Sequence, residues 1–218
     1  MVSESIRVLL AEDHNVLREG LRSLLEREPD IQVVGEAADG RTAVRLFQEL
    51  APDVVVMDIG MPELNGIEAT RHITSDLIGA KVICLSVHED AAMVHAMLEA
   101  GASGYLLKTS AGEELVRGIR TVASGAIYLS PAIARQVLER GVWTNGDSSP
   151  EAFKLLTPRE REILQLIAEG HQTKAAAKRL GIRPKTVLAH RDNIMKKLGI
   201  HSVADLVRYA LREGISEL

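Results

Sequence analysis

Five short apolar runs, at residues 6–10, 31–35, 54–57, 82–85 and 104–107, recur through the first half of this 218-residue chain with helical segments between them. Three of the runs are apolar at nearly every position. That is the pattern of strands covered on both faces, as in a parallel sheet packed between helices. The intervening stretches carry apolar stripes of helical period, such as Leu17, Leu21, Leu24 and Leu25. The alternation predicts a five-stranded, doubly wound α/β fold for this half.

Open sheets of this kind bind ligands at the carboxyl ends of their strands. The residues there are Glu12 and Asp13 after the first run, Asp58 after the third, Ser86 after the fourth and Lys108 after the fifth. Any one carboxylate at a strand exit is unremarkable, because Asp commonly opens turns. Together they form a chemical set. Three carboxylates make a hard-oxygen site for Mg²⁺, which keeps waters and phosphate oxygens as its remaining ligands. Lys108 and Ser86 bring a positive charge and a hydroxyl donor to the same phosphate. Such a set suits phosphoryl transfer onto a carboxylate, where cations screen the repulsion between anionic nucleophile and anionic donor.

The second half reads differently. Residues 151–218 carry 13 Lys and Arg against 8 Asp and Glu, whereas residues 1–150 carry 13 against 22, so the net charge of −4 hides an acidic front and a basic back. A basic tail of this kind suits nucleic acid. The βα alternation stops after residue 125. Ser130-Pro131 predicts the start of a helix over 131–141, with Ser130 as its cap, and 144–150 has turn composition and reads as a tether. Trp143, the single tryptophan, adjoins that tether and fits either an exposed aromatic or a contact between domains. Thr157-Pro158-Arg159-Glu160 is a capping box opening a helix to residue 169. Further helices follow over 173–180, 184–198 and 203–211, the first two of these ending at Gly181 and Gly199. Two helices across a short Gly-containing turn form either a helix-turn-helix or part of an ordinary bundle. The domain plan is then 5–125, a linker over 126–151, and an all-α domain of four helices over 152–218. No run approaches the roughly 18 apolar residues that span a bilayer, and no secretory leader is visible, so a cytoplasmic protein without a membrane partner is expected. Cys84, the only cysteine, sits in an apolar run and reads as core.

At this point particular motifs carry a resemblance. Ala11-Glu12-Asp13-His14, the segment Met57-Asp58-Ile59-Gly60-Met61-Pro62 with Asn65-Gly66, and Gly101 to Lys108 resemble receiver domains of two-component response regulators. Leu156 to Leu164, Gly181-Ile182, Lys185-Thr186-Val187 and Lys197-Leu198-Gly199 resemble the LuxR-type module, and the pairing resembles the NarL/FixJ family. The resemblance implies sheet order 2-1-3-4-5. It also implies that Asp58 takes a phosphoryl group from a sensor histidine kinase. Asp13, Asp58 and the backbone carbonyl of Gly60 would hold Mg²⁺, with Glu12 acting through water, and Ser86 and Tyr105 would be the switch pair. For Tyr105 an ordinary half-buried tyrosine stays open beside that role.

In the output module the resemblance turns Lys185, Leu188, Ala189 and Asp192 toward base edges of double-stranded DNA and sets His190 and Lys196 near phosphates. Val187, Ile194 and Leu198 would face inward. The pattern is not followed throughout. Thr109 replaces the proline that often follows the lysine, Thr173 and Ala176 replace Asn and Ile, and Arg183 stands where Ser or Thr normally caps the recognition helix. A reading face with Asp192 and no cation at 188 or 189 predicts a modest salt dependence. The stripe Val203, Leu206, Val207, Ala210, Leu211 completes a small core or, as in the family, also pairs two subunits, so an active homodimer is expected. RNA polymerase is a further expected partner.

Two rival readings remain. One is a phosphohydrolase, but enzymes resembling the dehalogenase superfamily place a second Asp two residues after the nucleophile, where this chain has Gly60. The other is a phosphorylation-independent interaction domain on a DNA-binding protein, against which the complete set of Glu12, Asp13, Asp58, Ser86 and Lys108 argues. The chain is therefore read as no enzyme beyond accepting a phosphoryl group and slow self-dephosphorylation.

Overall fold

The structure, a computed structural model, describes residues 5–76, 79–87, 89–140 and 154–216. The tether at 144–150 and Trp143 lie outside the described residues. Five parallel strands, β1 (Ile6–Ala11), β2 (Ile31–Ala37), β3 (Val54–Asp58), β4 (Val82–Ser86) and β5 (Gly104–Leu107), stand in the order β2-β1-β3-β4-β5. Helices α1 (Asn15–Leu25), α2 (Gly40–Leu50), α3 (Gly66–Asp76), α4 (Ala91–Glu99) and α5 (Glu113–Ala123) connect them. The period-2 alternation of side chains divides the strand residues between two cores. Val8, Leu10, Val56, Ile83, Leu85 and Leu106 pack with α1 and α5, while Leu9, Val55, Met57, Cys84 and Tyr105 pack with α2, α3 and α4. Both faces of the sheet are dry, as the near-continuous apolar runs require.

The sheet has a sixth strand that the sequence reading omitted. β6 (Tyr128–Leu129) pairs parallel with β5, with Gly104 opposite Tyr128. Two residues carry too little periodicity to register as a strand. The helix expected over 131–141 is α6 (Pro131–Arg140), and it is no free linker: Ile133 and Val137 are buried in the core that holds Tyr105. Ser130 is buried at its start, but its carbonyl rather than its hydroxyl serves the helix, accepting from Ala134, and Oγ has no hydrogen-bond partner among the described residues.

The second domain has a separate core around Ile163, Leu164, Val187, Ile194, Leu206 and Tyr209. Its helices are α7 (Pro158–Ala168), α8 (Thr173–Arg179), α9 (Pro184–Leu198) and α10 (Val203–Arg212). The capping box is made as expected: the Glu160 backbone N–H donates to Thr157 Oγ1 at 3.3 Å, and the Thr157 N–H donates to Glu160 Oε2 at 2.8 Å. Gly181 and Gly199 both adopt φ of 64°, the left-handed stop that a Cβ disfavours.

The two domains touch through α7, which is covered on both sides. Ile163, Leu164 and Leu166 enter its own core. Arg161, Glu162 and Gln165 are covered by the receiver. Arg161 Nε meets Glu68 Oε1 at 2.6 Å with both side chains at 4% exposure or less. Glu162 accepts from His72 at 3.1 Å and lies 3.4 Å from Arg41. At the far end, Gly214 abuts the methyl end of Met93 on α4.

Candidate functional site

β1 and β3 end side by side because β1 pairs with β3 in register, Ala11 opposite Met57. That brings Glu12, Asp13 and Asp58 to one edge, and β4 and β5 add Ser86 and Lys108. Lys108 Nζ lies 2.9 Å from Asp58 Oδ2 and 2.9 Å from Glu12 Oε2. A single ammonium thus bridges two almost fully buried carboxylates. Burial, then the charge of Glu12, push the Asp58 pKa up to about 6, and Lys108 offsets only part of this. Burial works against the Lys108 charge, yet Asp58 and Glu12 outweigh it and hold the ammonium above its ordinary pKa.

Ligand atoms of Glu12, Asp13, His14 and Asp58 all lie within 4.8 Å of one another. The donor set fits a hard divalent cation: three carboxylates converge, and the repulsion that raises Asp58 is what a dication relieves. Gly60 lies two residues past Asp58 in the loop leading to α3. Close packing fixes that loop, since a Cβ on Gly66 would sit 1.9 Å from the Asp58 carbonyl oxygen. His14 is the member that sequence reasoning missed. Its Nδ1 lies 2.8 Å from Asp13 Oδ1 and 3.2 Å from Glu12 Oε1, and Asp13 first, then Glu12, raise its pKa. Its place directly after Glu12-Asp13 was the available signal.

Ser86 is 1% exposed, and Tyr105 is fully buried, not half-buried, with a hydrogen bond to Ser86. The two residues read as a pair therefore touch. Burial pushes the Tyr105 phenol well up, so it stays neutral.

In the second domain, Lys185, Leu188, Ala189, Asp192 and Lys196 are exposed along α9, while Val187 and Ile194 turn inward at 2% and 0% exposure. His190 is half-buried, with Nδ1 lacking a hydrogen-bond partner among the described residues. Arg183 makes no side-chain cap bond, and Pro184 opens the helix in its place. Asp192 is held by its neighbour Arg191 at 3.1 Å.

The comparisons with known proteins agree with this geometry. Residues 8–120 match the response regulator receiver domain, and residues 154–210 match the bacterial regulatory proteins of the luxR family. The chain belongs to the NarL/FixJ family of response regulators. This response regulator is 44% identical over 210 residues to the transcriptional regulatory protein LiaR of Bacillus subtilis (strain 168), covering 96% of the chain and 99% of LiaR. It is 39% identical to the response regulator UvrY of Escherichia coli (strain K12), over 96% of the chain and 95% of UvrY. Among solved structures it is similar to RcsB from Salmonella enterica serovar Typhimurium bound to promoter rprA with phosphomimetic BeF3⁻. That likeness has 26% identity, a TM-score of 0.61, and coverage of 94% of this chain and 98% of the other. Among the described residues no helix of the response regulator is long and apolar enough to cross a membrane.

Proposed function

We propose that this response regulator is a phosphorylation-switched transcription regulator of the cytoplasm. Asp58 accepts a phosphoryl group from a sensor histidine kinase, and the modified receiver changes how the C-terminal module engages double-stranded DNA. The observation that carries the reading is the Lys108 ammonium shared between Asp58 and Glu12 at the carboxyl edge of the sheet.

An Asp58 carboxylate oxygen attacks the phosphorus of the kinase phosphohistidine, forming a P–O bond as the P–N bond breaks, and the imidazole leaves with the bond's electron pair. Asp13, Asp58 and the Gly60 carbonyl would hold Mg²⁺, with Glu12 assisting through water, and the ion supplies charge neutralisation between nucleophile and donor. Lys108 places a second cation on the same oxygens. The Ser86 hydroxyl is the donor available to a phosphoryl oxygen, and on moving there it leaves Tyr105, so charge at Asp58 is felt at β5.

In the output module Lys185, Leu188, Ala189 and Asp192 face base edges, with His190 and Lys196 near phosphates. The promoter complex of RcsB, which matches this chain over 94% of its length, supports DNA binding by the module. Two copies bind paired half-sites through α10, with RNA polymerase the downstream partner. Chemistry beyond phosphoryl acceptance is limited to slow self-dephosphorylation. Incubation with acetyl phosphate and Mg²⁺ is expected to add one phosphate to the chain and none to an Asp58→Asn variant, read by intact-protein mass. Equal labelling of the variant would overturn the assignment.

A further inference from the structure

The loop from Gly60 to Asn65 joins the candidate acceptor to α3, and its backbone is served largely by the other domain. Gln165 on α7, fully buried, accepts from the Asn65 N–H at 2.8 Å and donates to the Met61 carbonyl at 2.9 Å. Its amide also donates to Glu169 Oε1 at 2.8 Å, and that same oxygen accepts from the Glu63 N–H at 3.0 Å. Three backbone groups of a five-residue stretch are thus satisfied by two side chains of the DNA-binding domain. Asn65 Nδ2 adds a bond to the Ile215 carbonyl at 3.2 Å.

The held conformation is strained. Glu63 has φ of 67°, a left-handed value that a residue with a Cβ occupies at a cost. Arg179 grips its carboxylate at 2.6 Å, so the second domain also stabilises that conformation by its charge. Meanwhile the exposed side chains of α9 are open, so this docking does not act by covering the reading helix.

We infer that Gln165 is a positioning residue of the phosphorylation site: through its two bonds to the 61–65 loop, the DNA-binding domain holds that loop in a strained form which an Asp58 carrying metal and phosphoryl group does not keep. The inference rests on the reading that Asp58 is the phosphoacceptor and that its modification changes how the module engages DNA. Because both events act on the same backbone segment, they are linked, and each must oppose the other by the same factor. The DNA-binding domain is therefore a brake on its own receiver's modification.

The test uses the full chain with Gln165→Ala and with Gln165→Glu. The second keeps size and one acceptor but sets a carboxylate against the Met61 carbonyl. Two hydrogen bonds lost correspond to a shift of about 5- to 30-fold in the docking equilibrium. Both variants are expected to bind Mg²⁺ several-fold more tightly by calorimetry without a phosphodonor. Both should also label faster with acetyl phosphate at subsaturating Mg²⁺. A wild type that labels at Asp58, with variants that fold but match it in Mg²⁺ affinity and labelling rate, overturns the inference and leaves the proposed function standing. Weaker Mg²⁺ binding in the variants overturns it as well. A wild type that never labels overturns both.

Discussion

Replacing Asp58 with Asn should make the protein more stable, although it removes the residue on which the proposed function depends. Asp58 is 4% exposed and is held between Glu12 and Lys108. Its folded pKa of about 6 exceeds the ordinary 3.8 by about two units. At about 1.4 kcal/mol per unit, ionised Asp58 costs the fold on the order of 3 kcal/mol at neutral pH. Between pH 4 and 6 the folded state binds this proton and the unfolded state does not, so the group's contribution to stability falls as pH rises through that window. Asn carries no charge and escapes the penalty, and Lys108 keeps Glu12 as its partner at 2.9 Å. Urea denaturation of the receiver transition in EDTA at pH 7.5 should show Asp58→Asn ahead by up to about 3 kcal/mol, with the lead shrinking toward zero near pH 4. Added Mg²⁺ should narrow the gap at pH 7.5, since it binds the wild-type carboxylate in the folded state. A variant no more stable than wild type at pH 7.5, or a lead that persists at pH 4, would refute the account of Asp58 as a carboxylate destabilised by burial and by Glu12.

Three further outcomes follow from the packing. Gly66→Ala drives a methyl into the Asp58 carbonyl oxygen at 1.9 Å, so the receiver should lose several kcal/mol or fail to fold, checked by soluble yield and thermal melting. Arg161→Met leaves buried Glu68 with only the more distant Arg71, at 3.7 Å, as a cationic partner, a defect worth up to roughly 3–5 kcal/mol in a dry site, so the domains should separate instead. Small-angle scattering should show a larger radius of gyration for that variant, and an unchanged radius would contradict it. Asp192→Asn removes an exposed carboxylate and frees Arg191 from its 3.1 Å ion pair, so DNA affinity at low salt should rise and the log K against log salt slope should steepen by about one.

Most of the receiver was legible because its signals are local. Strands dry on both faces must be written as continuous apolar runs, and a parallel sheet puts their exits on one edge, so Glu12, Asp13, Asp58, Ser86 and Lys108 converge once the strands are found. Helix ends in the second domain were legible for the same reason, because Thr157 and Glu160 cap within four residues and Gly199 stops its own helix. His14 was visible as a letter but not as a partner of the acidic pair, since that contact depends on the turn that brings its Nδ1 back onto Asp13. β6 was lost because a two-residue strand is fixed by its neighbour β5 and not by its own sequence.

The contact between the domains lay beyond any periodic reading, and α7 shows why. A helical stripe reports one apolar face, and Ile163, Leu164 and Leu166 supplied it. The opposite face holds Arg161, Glu162 and Gln165, residues that in isolation describe a solvated surface. They are buried only because complementary groups arrive from 90 or more positions away: Glu68 for Arg161, His72 for Glu162, and the Met61 and Asn65 backbone for Gln165. Burial by polar complementarity leaves no hydropathy signal, because each group is matched by another polar group. It also differs from an apolar seam in its consequences. A polar seam can exchange its partners for water at small net cost, so such an interface can open and close. A surface of that kind, built onto the loop beside the acceptor, suits a contact that must be broken in use.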